Sequence, residues 1–185
     1  MAVEELFTAL PSLTCGGFIL QEITPEDGAT LIDAIPGFPI PRALFHAAHH
    51  PAAASGETAD PYGSHQLPPW RIEGRRSGRV LGVCGFLRWD ILHARAGITA
   101  ALLPAEEEAP MAHVLGAMMA FGFHEMELNR IEMLAGDERT RAAIERAGMA
   151  CEALLRQYLR IDDVHEDLYL YAALAEQWHG LRRER

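Results

Sequence analysis

The order in which hydrophobic periodicities succeed one another constrains the fold of this chain more than any other feature. Residues 17–23 (GFILQEI) read as a strand, and TPEDGATLIDAI after them as a helix with its start signals intact. Thr24 suits the N-cap, Pro25 the first helical position, and Glu26 and Asp27 the positive end of the dipole. Pro36, Gly37 and Pro39 end that helix. Residues 36–69 then hold seven of the eleven prolines, an irregular excursion with room for one short helix at RALFHAAHH. From Trp70 the pattern sharpens. WRIEG, RVLGVCGFLRW and ARAGITAALL read as three strands. Residues 111–126 carry apolar side chains at Met111, Val114, Leu115, Met118 and Met126, the spacing of a buried helix. NRIEMLA is a short strand, and DERTRAAIERAG a helix capped by Asp137 and stopped by Gly148. ACEALLRQYLRI and DLYLYAAL close as an antiparallel pair, with DDVHE (residues 162–166) as their connection. Two strands straddling each helical stretch predict an α/β fold, a mixed sheet with helices on both faces.

Repeats are absent, and nothing marks a second domain. The expectation is one domain over residues 1–185, with a core at 17–178 and a basic tail at 179–185. Apolar runs stay under ten residues, so no segment reads as a bilayer span. The start, MAVEELFTAL, is acidic where a secretory signal is basic. A cytoplasmic protein is the expectation. Sixteen basic against twenty-six acidic side chains leave a formal charge of −10, which argues against a general nucleic-acid binder. All sixteen basic side chains are arginine. Cys15, Cys84 and Cys151 are widely spaced and odd in number, so neither a disulfide framework nor a paired-cysteine metal site is expected; buried free thiols are. His46, His49 and His50 share one helical face, and with His65 or Asp60 they have the residue types of a zinc site. A tract of this kind is more often a set of exposed polar residues, and no metal is expected. His113 and His124 read as boundary residues of the long helix.

Five segments, in order, resemble one family. LQEITPEDGATLIDAI is similar to the first strand and helix of the GNAT (GCN5-related) N-acetyltransferase superfamily. GRVLGVCGFLRW resembles its "sGrliGxxgl" strands, and FGFHEMELNRIEML its "yaFxxLgLnRIea". DERTRAAIERAGM resembles "NxaSxrvlEklGF", and EALLRQYLRIDDVHEDLYLYAALAEQW resembles "EGxLRxyxxxxGxxxDxxxYsxLxxEW". The match runs over residues 17–178 and points to the group that acetylates ribosomal protein N-termini.

The resemblance implies a GNAT fold: a mixed, mostly antiparallel central sheet, splayed between two parallel strands after residues 98–103. It implies that the pantetheine arm of acetyl-CoA or another acyl-CoA lies in that gap, with its pyrophosphate on the next helix's N-terminus. Leu102, Leu103, Met111, Ala112, Asp137 and Thr140 then fall at cofactor-binding positions, with a backbone N–H near Leu102 or Leu103 polarising the thioester. Glu73, Thr140 and Tyr171 are the implied catalytic candidates, and one of the excursion's histidines is another. Arg156 matches a structural position. Gly97 stands where many relatives carry a strand Glu.

The phosphate loop departs from the family pattern. After LLP the chain reads AEEEAPMAHVL, so Glu107 replaces the usual Gln or Arg, and Glu108 and Pro110 replace two glycines. Only Ala112 still fits. Pro110 removes one N–H from the cradle, and Glu106, Glu107 and Glu108 place negative charge where the anion sits. Two classes of function follow. The first is an N-acyltransferase moving an acetyl or acyl group from acyl-CoA to a peptide N-terminus or small amine. The second is a binding or scaffold protein on the same fold that no longer takes acetyl-CoA in the usual way. The family base rate puts the enzyme ahead. The partners expected are a peptide or small amine, or a protein, a second copy of the chain included; nucleic acid and membrane are not.

Overall fold

A computed structural model describes residues 10–24, 27, 31, 64–65, 69–103, 109–161 and 163–178. Its described strands form one nine-stranded sheet: β1 (Leu13–Cys15), β2 (Phe18–Glu22), β3 (Ser64–His65), β4 (Trp70–Gly74), β5 (Val80–Asp90), β6 (Arg95–Leu102), β7 (Arg130–Ala135), β8 (Ala150–Ile161) and β9 (Val164–Leu174). The order across the sheet is β1-β2-β4-β5-β6-β7-β9-β8, with β3 paired to β5 off this path. Every pairing is antiparallel except β6 with β7. A parallel pair needs a crossover, and α1 (Ala109–His124) supplies it; α2 (Glu138–Arg146) joins β7 to β8.

Alternation along the strands decides what each face covers. Trp70 and Ile72 on β4, Ile98 and Ala100 on β6, Ile131 and Met133 on β7, and Tyr171 and Ala173 on β9 point to one side. There they meet Val114, Leu115, Met118 and Met119 of α1 and Ala143 and Ile144 of α2 in one core. Trp70, Phe86 and Phe121 pack edge-on or tilted within it, ring centroids 5.6–6.2 Å apart. The opposite face is covered at its β2–β5 end by a second cluster in which Leu31 meets Ile23 and Val83. Asp27 and Leu31 are helical, so helices lie on both faces. The expected capping signals are realised. Thr24 and Asp27 bond reciprocally, the Asp27 N–H to Thr24 Oγ1 at 3.3 Å and the Thr24 N–H to Asp27 Oδ2 at 3.1 Å. Asp137 caps α2 by accepting from the Thr140 N–H at 2.8 Å, and Gly148, at φ +96°, ends it.

Four details differ from the sequence reading. The first strand is a hairpin of β1 and β2, joined through Gly16 and Gly17; three residues give β1 no readable period. β3 was not expected inside the excursion. The last connection is not residues 162–166 but the two residues between Ile161 and Val164, because His165, Glu166 and Asp167 are exposed strand residues with no buried face to imprint alternation. Cys15 and Cys84 are buried as expected, but Cys151 is exposed on β8, the edge strand. Residues 36–63, the tail 179–185, the proposed helix RALFHAAHH and His46, His49, His50 and Asp60 lie outside the described residues; His65 is described only as backbone. Among the described residues, no cluster of three or more His, Cys, Asp or Glu is placed to hold a metal, and no helix is long and apolar enough to cross a membrane.

Candidate functional site

The parallel strands part company early. β6 and β7 are in register only from Arg95–Arg130 to Gly97–Glu132. β6 runs on to Leu102 against β5, and β7 runs on to Ala135 against β9. The two strands therefore open a wedge whose vertex is at Gly97 and Glu132. Its open end leads to α1 on one side and α2 on the other. Both strands run the same way, so their C-terminal ends share one sheet edge, where α/β proteins place ligands.

Strand stereochemistry sets what the wedge presents. The Leu103 N–H donates to Leu81 O at 2.8 Å. Successive N–H groups of a strand point to opposite edges, so those of Ile98, Ala100 and Leu102 point away from β5 and into the wedge. Of the two expected polarising donors, Leu103 is thus committed to the sheet, and Leu102 is directed at the gap. Leu102 and Leu103 are half-buried at the end of β6, and Met111 and Ala112 are buried in the first turns of α1. Asp137 and Thr140 open α2 at the end of β7. The six residues thus lie on the elements that border the open end, the end of β6, the first turns of α1 and the start of α2. Residues 104–108, with Glu106, Glu107 and Glu108, lie outside the described residues; Pro110 is the second residue of α1, where a missing N–H leaves no helical bond unmade.

Glu73 and Tyr171 do not join that group. Glu73 is on β4, with β5 between it and β6, and lies 3.3 Å from Arg71 Nη2. Arg71 also reaches Asp27 Oδ2 at 2.6 Å and Gln21 Oε1 at 2.8 Å, tying the first helix to the sheet. Burial pushes the Asp27 carboxyl up, but hydrogen bonds from Thr24 and Arg71 outweigh it and hold Asp27 below its ordinary value. Tyr171 is fully buried on the α2 side; its hydroxyl donates to Glu145 Oε1 at 2.9 Å and accepts from Arg141 Nε at 3.1 Å. Burial raises its pKa. Burial also pushes the Cys15 thiol up to about 11 and Cys84 well above its ordinary value, so neither is a ready nucleophile.

Sequence reasoning missed the carboxylate at the vertex of the wedge. Glu132 stands beside Gly97 at the vertex, on the sheet face away from α1, where Thr99 is also buried. The signal was present in RIEMLA, where Ile131, Met133 and Ala135 are buried and Arg130, Glu132 and Leu134 take the other face. Arg130 Nε donates to Glu132 Oε1 at 2.5 Å, and Arg130 also grips Glu152 of β8 with both terminal nitrogens, at 3.0 and 2.5 Å. Those bonds raise the Arg130 pKa and lower that of Glu152.

A sheet opened between the one parallel pair among its described strands, with a helix starting at each strand's open end, is the architecture of the GNAT fold. The chain shares the fold of solved N-acetyltransferases of the GNAT family, and its sequence is similar to that of a ribosomal N-acetyltransferase. It is 28% identical over 141 residues to the Bacillus subtilis protein named "Putative ribosomal N-acetyltransferase YdaF", covering 69% of this chain and 77% of that one. The crystal structure of a "probable acetyltransferase" superposes with a TM-score of 0.70 at 19% identity, over 92% of this chain and 100% of the other. The ribosomal-protein-S5-alanine acetyltransferase from Vibrio fischeri superposes with a TM-score of 0.66 at 13% identity, over 91% and 98%. No protein-family model matches the chain.

Proposed function

We propose that this protein transfers an acetyl or other acyl group from acyl-CoA to a primary amine, a peptide N-terminus or a small amine. The observation that carries this reading is the parting of β6 and β7 beyond Gly97 and Glu132, which leaves the Ile98, Ala100 and Leu102 edge of β6 without a strand partner on β7 among the described residues. An extended pantetheine arm has the length and the amides to occupy such an edge. Asp137 and Thr140 would flank it from the α2 side. The donor supplies the thioester; the remaining chemistry belongs to the chain's own groups. The Leu102 N–H polarises the thioester carbonyl. Glu132, at the vertex, accepts a proton from the acceptor amine, whose nitrogen lone pair forms the new C–N bond as the C–S bond breaks. The Thr140 hydroxyl, or water, returns a proton to the departing sulfur. Glu73 and Tyr171 take supporting roles in this reading, holding the first helix and α2 to the sheet.

The similarity to ribosomal N-acetyltransferases favours a peptide N-terminus over a small amine. Calorimetric titration of the purified chain with acetyl-CoA, beside free CoA and desulfo-CoA, tests the donor half. Micromolar binding is expected, and Glu107→Gln and Pro110→Gly tighten it by removing a charge and restoring an N–H. A folded sample that binds none of the three at millimolar concentration sinks the reading.

A further inference from the structure

We propose that the Arg130–Glu152 ion pair is a positioning device that fixes the Glu132 carboxylate at the vertex of the wedge, an inference that rests on the acyl-transfer reading above. Arg130 and Glu152 lie on strands that are not neighbours: β9 runs between β7 and β8. The guanidinium therefore crosses a whole strand on the face away from α1. Two local features make that crossing possible. The residue of β9 beneath it, Ala172, is the register partner of both Glu132 on β7 and Ala150 on β8, and is buried. A larger side chain there would stand where the guanidinium lies. On β8 the register shifts between Cys151 and Ala153, so Glu152 is the extra residue of a bulge, the device by which strands re-aim one side chain.

The fork geometry then does what a lone charge cannot. Both terminal nitrogens of Arg130 are held by the two oxygens of Glu152, which fixes the plane of the guanidinium. Once that plane is fixed, the direction of Nε–H is fixed, and with it the position of Glu132 Oε1. Two carboxylates on one guanidinium leave the trio with one net negative charge beside Gly97, a position suited to an acceptor ammonium. A pair meant only to fasten β8 to the sheet would not need the third contact to Glu132.

Glu152→Gln keeps the shape of the clamp and removes its charge and one acceptor. Acyl transfer from acetyl-CoA to a short peptide with a free N-terminal amine, followed by thiol release, should lose about 10- to 100-fold in kcat, the loss a displaced catalytic group produces. The calorimetric Kd for acetyl-CoA should stay within twofold. Arg130→Lys, which keeps the charge but not the fork, should not rescue kcat. A crystal structure of Glu152→Gln should show Glu132 displaced from its place beside Arg130 Nε. The proposal is overturned if Glu132 holds its position in that structure, or if kcat and the affinity for acetyl-CoA fall together in step with thermal stability. Should the wild-type chain bind acetyl-CoA yet acylate no amine, the acyl-transfer reading fails by itself, and the displacement of Glu132 still decides the clamp.

Discussion

Gly82 sets the distance between β5 and β6, and replacing it by Ala should be felt both in stability and at the wedge. It lies opposite Leu102. A Cβ built there meets the Ala101 carbonyl oxygen at 2.2 Å and Leu102 Cα at 2.9 Å. Both obstacles are backbone, so no rotamer change relieves them. A relaxed carbon–oxygen contact needs about 3.3 Å, so the two strands must part by roughly 1 Å at this point. Overpacking of this kind costs about 1–3 kcal/mol, and a clash with backbone belongs near the upper limit. For a chain of this length about 3 kcal/mol lowers Tm by roughly 6–12 °C. The far edge of β6 carries the Ala100 and Leu102 N–H groups, so the displacement reaches the wedge, and acetyl-CoA affinity should fall as well. Thermal unfolding followed by circular dichroism, with the calorimetric titration repeated, measures both. Gly17→Ala is the control, since its Cβ would meet nothing within 4 Å. A Gly82→Ala protein melting within 2 °C of wild type would refute the close approach and the reasoning built on it.

Tyr171→Phe removes a buried hydroxyl that bridges Glu145 and Arg141, and should cost about 1–2 kcal/mol while leaving kcat unchanged; a large loss of kcat in a stable protein would make Tyr171 catalytic instead. Asp137→Ala should lower stability by about 1 kcal/mol in chemical denaturation by uncapping α2, and Asp137→Asn should restore it, because either side chain can accept the Thr140 N–H. Acid should unfold the protein through its bonded carboxylates. Glu152 and Asp27 are held below their ordinary values when folded, so their stabilisation is present above about pH 4, where they ionise in the unfolded chain, and is lost as pH falls through the lower folded values. Tm should be flat from pH 7 to about pH 5 and drop below pH 4, less steeply in Glu152→Gln; an unchanged acid limb in that variant would count against the Arg130 bond as its cause.

Much of the fold was legible because the signals that write it are local. Thr24 with Asp27, Asp137 with Thr140, and Gly148 act within a few residues of themselves, and each does in the structure what its type and place announced. The period-two stretches at WRIEG and RIEMLA named their buried faces for the same reason. Where no buried face exists, as at Val164, His165 and Glu166, alternation left no mark, and the strand was read as a connection.

The candidate site divides along the same line. The family motifs brought Leu102, Met111, Ala112, Asp137 and Thr140 to one end of a parallel pair, because each follows directly from the strand or helix that carries it. They could not tell which of Leu102 and Leu103 turns its N–H toward the gap; the bond from Leu103 to Leu81, 22 residues away along the chain, decides that direction. Nor could they join Arg130 to Glu152, which are equally distant in sequence and separated by an intervening strand. The amino-acid sequence by itself determined which segments become strands and helices, where the helices begin and end, and which family's fold the chain resembles. Only the tertiary structure decided that β9 inserts between β7 and β8, that a buried Ala172 lets a guanidinium cross it, and that a carboxylate stands at the vertex of the opened sheet. Those outcomes depend on register between strands far apart in the chain, and register is set by packing of the whole sheet, which no local pattern encodes.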